Sequence, residues 1–372
     1  MSIEIKEVIT KADMKKFVDL QFELYKGNKF WAPPLKKGEI KYLDPNLNPA
    51  FGYADAKFYL AYKDGKVVGR IGAIVNHKYN EKVGKKFVRF TKPEFTDDAE
   101  VVDALIKKVE DFGKEKGMEE IHGPLGFSNL DTQGLLTEGF EELQSVASVY
   151  HLPYYKDHFD RLGFEKENDW VEFTMTLTED VLSKASRGSA MIQKRYGFEV
   201  MHFNNTKEMK QYAPLVFEII NEAFEVLPYT TPFDTKLKQY YIDKYFDILN
   251  PKYVKALKKD EELIGFQIAV PSMSKAMQKA NGKLTIGGIL ALMKARKHND
   301  TADLFLTGVV KKHQNSGAAV VLFSEIQNAL HRDGIDTLET TGIFESNNEV
   351  IANWKNYQHV LNKRRRCYVK KM

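Results

Sequence analysis

The chain has 372 residues, with 55 Lys and Arg against 51 Asp and Glu, and one cysteine, Cys367. Such a length exceeds one ordinary core and predicts two domains, while a net charge of +4 is too small to mark a nucleic-acid partner. A lone cysteine excludes an internal disulfide and a cysteine-built zinc site, which fits a reducing, cytoplasmic setting; no metal is expected.

In chain order, Ile3–Val8 alternates as a strand and Lys11–Leu24 carries helical spacing. Phe58–Tyr62 and Val67–Val75, joined by the turn Lys63–Lys66, read as a hairpin. A helix is expected from Asp97 to Lys116, stopped by Gly117, then a strand over Glu120–Gly123. Gly123–Ser128 and Gly134–Phe140 lie in a long glycine-bearing connection, the kind of loop that carries function when ordered. A short helix over Tyr154–Leu162 and a strand over Trp170–Met175 follow. Thr178–Arg195 reads as a partly helical linker, dividing the chain into domains 1–180 and 181–372.

The second half then repeats the first. Gly197–Phe203 alternates as a strand, a helix follows over Glu208–Phe224, and Tyr253–Leu257 with Leu263–Val270 forms a second hairpin. Gly69 and Gly265, 196 residues apart, occupy the same place in the two hairpins. This is domain duplication rather than a short repeat. The fold class is α/β (α+β), with mixed central sheets flanked by helices. Ser274–Asn299 is an insertion holding the apolar decamer Leu284–Met293 between Lys275, Lys279, Lys283 and Lys294, Arg296, Lys297. It reads either as a buried helix or as a surface for an anionic membrane or an acyl chain. The basic run Lys363–Arg366 near the C-terminus reads as a solvated strand edge.

The most informative segment is Leu304–Ala319, in which an apolar strand enters a polar turn and a helix starts after Gly317. A helix start leaves backbone N–H groups pointing outward, and the helix dipole makes that end positive. Both favour a phosphate. Gly317, Ala318 and Ala319 leave room for a pyrophosphate to approach the backbone.

Gln314-x-x-Gly317-x-Ala319 in this strand–turn–helix setting resembles the pyrophosphate-binding pattern of the GNAT superfamily of N-acetyltransferases. The resemblance implies two tandem GNAT-like domains and an acyl-CoA substrate, acetyl-CoA or longer. It places the pyrophosphate on Gln314, Asn315, Ser316, Gly317, Ala318 and Ala319, with Val309 and Val310 on the strand before them. Ile335–Thr341 and a helix over Glu349–Tyr357 would flank the coenzyme arm, with Asn348 as a contact. Tyr357 is the nearest candidate for the acid that protonates the departing thiolate, though it lies later than the family's usual spacing. Glu339 and Glu345 are candidates for the group that takes the proton from the attacking amine.

The first half reads Phe87-Val88-Arg89-Phe90-Thr91-Lys92-Pro93-Glu94-Phe95-Thr96-Asp97-Asp98 at the equivalent place, with no Gly-x-Gly/Ala turn. Pro93 removes a donor and the two aspartates would repel a pyrophosphate, so this half is expected to keep the fold without the ligand. Phe30–Pro34, Asn48–Phe51, Gly69–Ala73 and Tyr154–Lys166 are similar to bacterial tandem GNAT-like proteins, some linked to N-acylation of long-chain amino lipids. The expectation is therefore an acyltransferase acting on a small-molecule or lipid amine, cytoplasmic or peripheral at the inner membrane face through 284–297. The rival is a non-catalytic GNAT-like scaffold. Aminoacyl transfer of the Fem type is opposed by the modest charge and the lack of a basic helical-hairpin arm.

Overall fold

The computed structural model describes residues 3–372 and divides them into two compact units. One holds the chain up to Val171 together with Ser274–Ala291 and Asn362–Met372; the other holds Glu172–Met273 and Leu292–Leu361. A single cut near residue 180 does not separate them.

The first unit opens with β1 (Glu4–Glu7), α1 (Lys11–Leu24) and α2 (Lys36–Leu43), then β2 (Ala54–Lys63) and β3 (Lys66–Asn76). The helix α3 (His77–Val83) and the strand β4 (Phe87–Phe95) follow, then α4 (Ala99–Glu115), β5 (Glu120–Gly123), β6 (Leu135–Glu138), α5 (Tyr154–Arg161) and β7 (Glu165–Thr176). Thr10 starts α1 with a reciprocal capping box to Asp13, which explains why that helix begins where the sequence places it. The strands β1 to β4 are antiparallel neighbours, β4 pairs parallel with β5, and β14 (Gln358–Lys371) lies beside β5 and carries β6. Lys363 and Arg365 are buried there, so the basic run is not an exposed edge; Arg365 reaches the Gln133 carbonyl and sits over the Trp170 ring.

The second unit contains α6 (Glu179–Tyr196), β8 (Glu199–His202), α7 (Thr206–Gln211), α8 (Ala213–Ala223), α9 (Thr235–Tyr245), β9 (Val254–Lys259) and β10 (Glu262–Pro271). The helices α10 (Ser274–Ala280) and α11 (Ile286–Lys297) form the insertion. The chain continues through β11 (Thr301–Val309), α12 (Ala318–Arg332), β12 (Thr337–Thr340), β13 (Ile343–Phe344) and α13 (Asn348–Ala352). The expected linker is the full helix α6, capped by Thr178, ended by left-handed Gly197 and packed on α12. The single helix expected over Glu208–Phe224 is broken at Tyr212, because Pro214 brings no N–H to the ladder and suits a first turn instead.

The topology of the first unit recurs. Strands β8 to β11 are antiparallel neighbours, β11 pairs parallel with β12 across the crossover helix α12, and the second half of β7 lies beside β12. Each unit thus takes its sixth strand from the other half of the sequence. The two repeated glycines have one physical role. A Cβ on Gly69 would lie 2.8 Å from Leu105 and Val101 of α4, and one on Gly265 would lie 3.2 Å from Leu322 of α12. Both let a crossover helix lie close to its sheet.

Candidate functional site

In the second unit β11 and β12 are in register only from Thr301–Leu304 against Thr337–Thr340. The strand β11 runs on to Val309, paired with β10 alone. The register of β10 against β11 shifts between Ile268 and Ala269, leaving Phe305 as an extra residue at the point where the strands part. The Thr341 hydroxyl donates to the Leu304 carbonyl at 2.7 Å and pins the fork. Among the described residues no strand pairs the other edge of Leu306–Gly308. That edge offers peptide groups to an extended ligand.

Beyond the fork, Lys311–Ser316 forms a tight turn and Gly317 precedes α12 with φ of 82°. Only glycine adopts that conformation readily. A Cβ there would also lie 2.8 Å from Ile192 of α6. Several donors of the turn are already used. The Val310 N–H bonds the Ile264 carbonyl, the His313 N–H the Val310 carbonyl, and the Lys311 N–H the Glu222 carboxylate at 2.7 Å. Gln314 is exposed and its Nε2 donates to the Val309 carbonyl at 3.2 Å. The start of α12 differs: Gly317 brings no capping side chain, and among the described residues no partner stands on the Ala318 and Ala319 N–H groups. Those two N–H groups, beside Asn315 and Ser316, are the donors left at this turn, fewer than the sequence alone indicates; Ala319 is half-buried and Ala318 fully buried behind it. Val309 and Val310 are buried, and the Val310 amide is spent.

The acids separate. Glu339 is half-buried on β12, level with Asp303 of β11 and Thr174 of β7, so all three side chains leave one face of the sheet beside the fork. Glu345 lies in the turn after β13. Sequence reasoning passed over Asp303, which is fully buried. The signal was an acid inside the apolar run Thr301–Val309.

The expected helix over Glu349–Tyr357 is short. It covers Asn348–Ala352, capped by Asn347, followed by a tight turn over Asn353–Asn356. Asn348 is exposed at its first position. Tyr357 packs against Phe323 and Trp354, and its hydroxyl accepts from Nε2 of buried Gln327 at 2.8 Å. Burial pushes its pKa up, against the pull of Gln327, so the hydroxyl stays protonated at neutral pH. Cys367 is buried in the first unit, its Sγ 3.2 Å from a Glu167 oxygen, away from the fork residues in sequence and in unit.

The equivalent place in the first unit is filled by the protein itself. The strands β4 and β5 part after Arg89 and His122, but the Leu125 N–H bonds the Phe90 carbonyl. Glu94 is buried among Tyr25 at 2.6 Å, Tyr155 at 2.8 Å, Gln21 at 2.8 Å and the Arg70 guanidinium at 3.6 Å. Asp98 caps α4 by accepting from the Glu100 N–H at 3.0 Å and is itself paired with Lys63.

No family model matches the chain. Protein YghO of Escherichia coli is 26% identical over 349 residues, spanning 92% of this chain and 89% of the relative. The bacterial ceramide synthase of Caulobacter vibrioides is 25% identical over 315 residues, spanning 83% of this chain and 81% of that protein. Among solved structures, a tandem GNAT protein from the clavulanic acid biosynthesis pathway is similar over 100% of this chain and 98% of its own, with a TM-score of 0.58 at 12% identity. A GCN5-related N-acetyltransferase from Sphaerobacter thermophilus is similar over 99% and 95%, with a TM-score of 0.53 at 10% identity. Likeness along whole chains at such low identity speaks to architecture. With the forked sheet and the Gly317 turn, it shows that this chain has the fold of tandem GNAT proteins.

Proposed function

We propose that the second unit is an acyl-CoA-dependent N-acyltransferase site and that the first unit is not. The carrying observation is the uncapped start of α12 beside a strand edge left open by the fork. The pyrophosphate of coenzyme A docks at the start of α12, on the half-buried Ala319 amide and the Ala318 amide behind it, with Gln314, Asn315, Ser316 and Gly317 forming the turn around it. The pantetheine arm, a linear chain with amide groups, lies along β11 and brings the thioester towards the fork. An amine nitrogen attacks the thioester carbonyl carbon, the C–N bond forms and the C–S bond breaks. Glu339, with Asp303 beside it, takes the proton the amine must lose. The protonated Tyr357 hydroxyl is the chain's candidate donor to the departing thiolate, and Asn348 and Glu345 border the same segment.

A long-chain amino lipid is the more specific acceptor we favour, with a long acyl chain on the coenzyme. The relative named bacterial ceramide synthase supports it. Such an acceptor would bring the enzyme to the inner membrane face. The test is release of free thiol from acetyl- and palmitoyl-coenzyme A with and without a long-chain amino alcohol, alongside calorimetry with free coenzyme A. Binding with amine-dependent thiol release is expected. Binding without turnover on any amine would leave the scaffold reading, and no binding would remove both.

A further inference from the structure

The helix α11 is apolar on two sides, and only one is covered. Thr285 starts it by accepting from the Gly288 N–H, and Gly288 is buried against Lys283 and Ala280, where a Cβ would lie 3.1 Å from the Lys283 carbonyl. The other side carries Ile286, Ile289, Leu290 and Met293, spaced as one helical stripe. They face solvent, as does Leu284 just before them; Ile286 is 82% exposed and Leu290 61%. Five of the fifteen exposed large apolar side chains among the described residues fall in these ten positions. The buried-helix reading of the decamer therefore fails. The charge around it is one-sided: from Ser272 to Asn299 there are six Lys or Arg and no Asp or Glu.

We propose that α11 is an interfacial anchor that lies on an anionic lipid surface. The apolar stripe enters the acyl boundary and the exposed Lys275, Lys279, Lys283, Lys294 and Lys297 meet the headgroups, while Arg296 is held by the Leu249 carbonyl. Among the described residues no helix is long and apolar enough to cross a membrane, and twelve residues of helix reach only about 18 Å, well short of a bilayer core. A second copy of the chain is the poorer occupant, because a two-fold contact through this face would set the basic rim against itself. The anchor does not depend on acyl transfer, so its test is run without acyl-CoA.

Flotation with phosphatidylcholine vesicles, and with vesicles of phosphatidylcholine and phosphatidylglycerol, reads it directly. The wild type is expected to float with the anionic vesicles only and to be released by high salt. Ile286→Asp with Leu290→Asp, and separately Lys294→Glu with Lys297→Glu, should each weaken binding roughly tenfold or more. Unchanged thermal melts would show these exposed changes leave the fold intact. Equal flotation on neutral vesicles, no flotation of the wild type, or no effect of either pair would overturn the proposal. So would light scattering that shows a dimer abolished by the Ile286/Leu290 pair. Coenzyme A calorimetry on the same variants keeps the two proposals separable, since neither pair belongs to the α12 turn.

Discussion

The starts of α4 and α12 occupy the same place in a duplicated topology, and they treat their free amides in opposite ways. At α4 the chain supplies its own anion: the Asp98 carboxylate accepts from the Glu100 N–H, and Lys63 neutralises it. At α12 it supplies none: Gly317, Ala318 and Ala319 carry no polar side chain. The forks beside them differ likewise. The first is closed by Leu125 and by the buried Glu94 network, and the second leaves Leu306–Gly308 open on one edge. Under the proposed function, one architecture serves both units: side chains fill in the first the place that the second keeps for a ligand's charge. An uncapped helix end costs about 1 kcal/mol, which a bound anion at α12 would offset under the proposed function.

That contrast can be broken by changes on either side of it. The largest effect expected is on turnover: Glu339→Gln should lower kcat roughly tenfold to a hundredfold while coenzyme A affinity holds. Steady-state thiol release beside calorimetry separates the two, and an unchanged kcat would move the base elsewhere on that face. Acid should expose the self-sufficiency of the first unit. Burial, helped by Arg70 and Arg365, depresses the His151 pKa from 6.5 to about 3, and its Nδ1 accepts the Leu136 N–H. Below pH 6.5 the unfolded chain takes up a proton that the folded chain refuses. This contribution is whole above the ordinary value and shrinks as pH falls, by about 1.4 kcal/mol per pH unit. Denaturant melts at falling pH should show that slope, and His151→Gln, which still offers an acceptor, should flatten it. The smallest effect is Asp98→Ala, which should cost about 1 kcal/mol of stability and leave coenzyme A binding untouched. A change in that affinity would mean the first unit shares the ligand.

Much of this was legible in the sequence because it rests on local chemistry. The Gly69 and Gly265 hairpins, the Thr10 start of α1 and the Gly317 turn each follow from what a few adjacent residues can adopt. That an acid stands at the start of α4 was readable from Asp97 and Asp98. What escaped depends on contacts distant in sequence. The burial of Lys363 and Arg365 arises from β14 pairing with β5 and β6, more than 200 residues earlier. The donors withdrawn from the loop go to Glu222 and Ile264. Asp303 gains meaning only once β11 and β12 set it level with Glu339. The final helix starts one residue early because Asn347 takes the cap, and it is cut short by the tight turn over Asn353–Asn356.

The central claim concerns two amides, and Ala319→Asp addresses them without the clash and positive φ that would confound any change at Gly317. A carboxylate in the first turn suits the helix dipole, so the fold should hold or gain up to about 1 kcal/mol. The same carboxylate repels and displaces a pyrophosphate. Calorimetry of free coenzyme A should show wild-type binding weakened roughly a hundredfold or more, about 3 kcal/mol, in a variant that melts no lower. A well-folded Ala319→Asp protein that binds coenzyme A as tightly as the wild type would contradict the account.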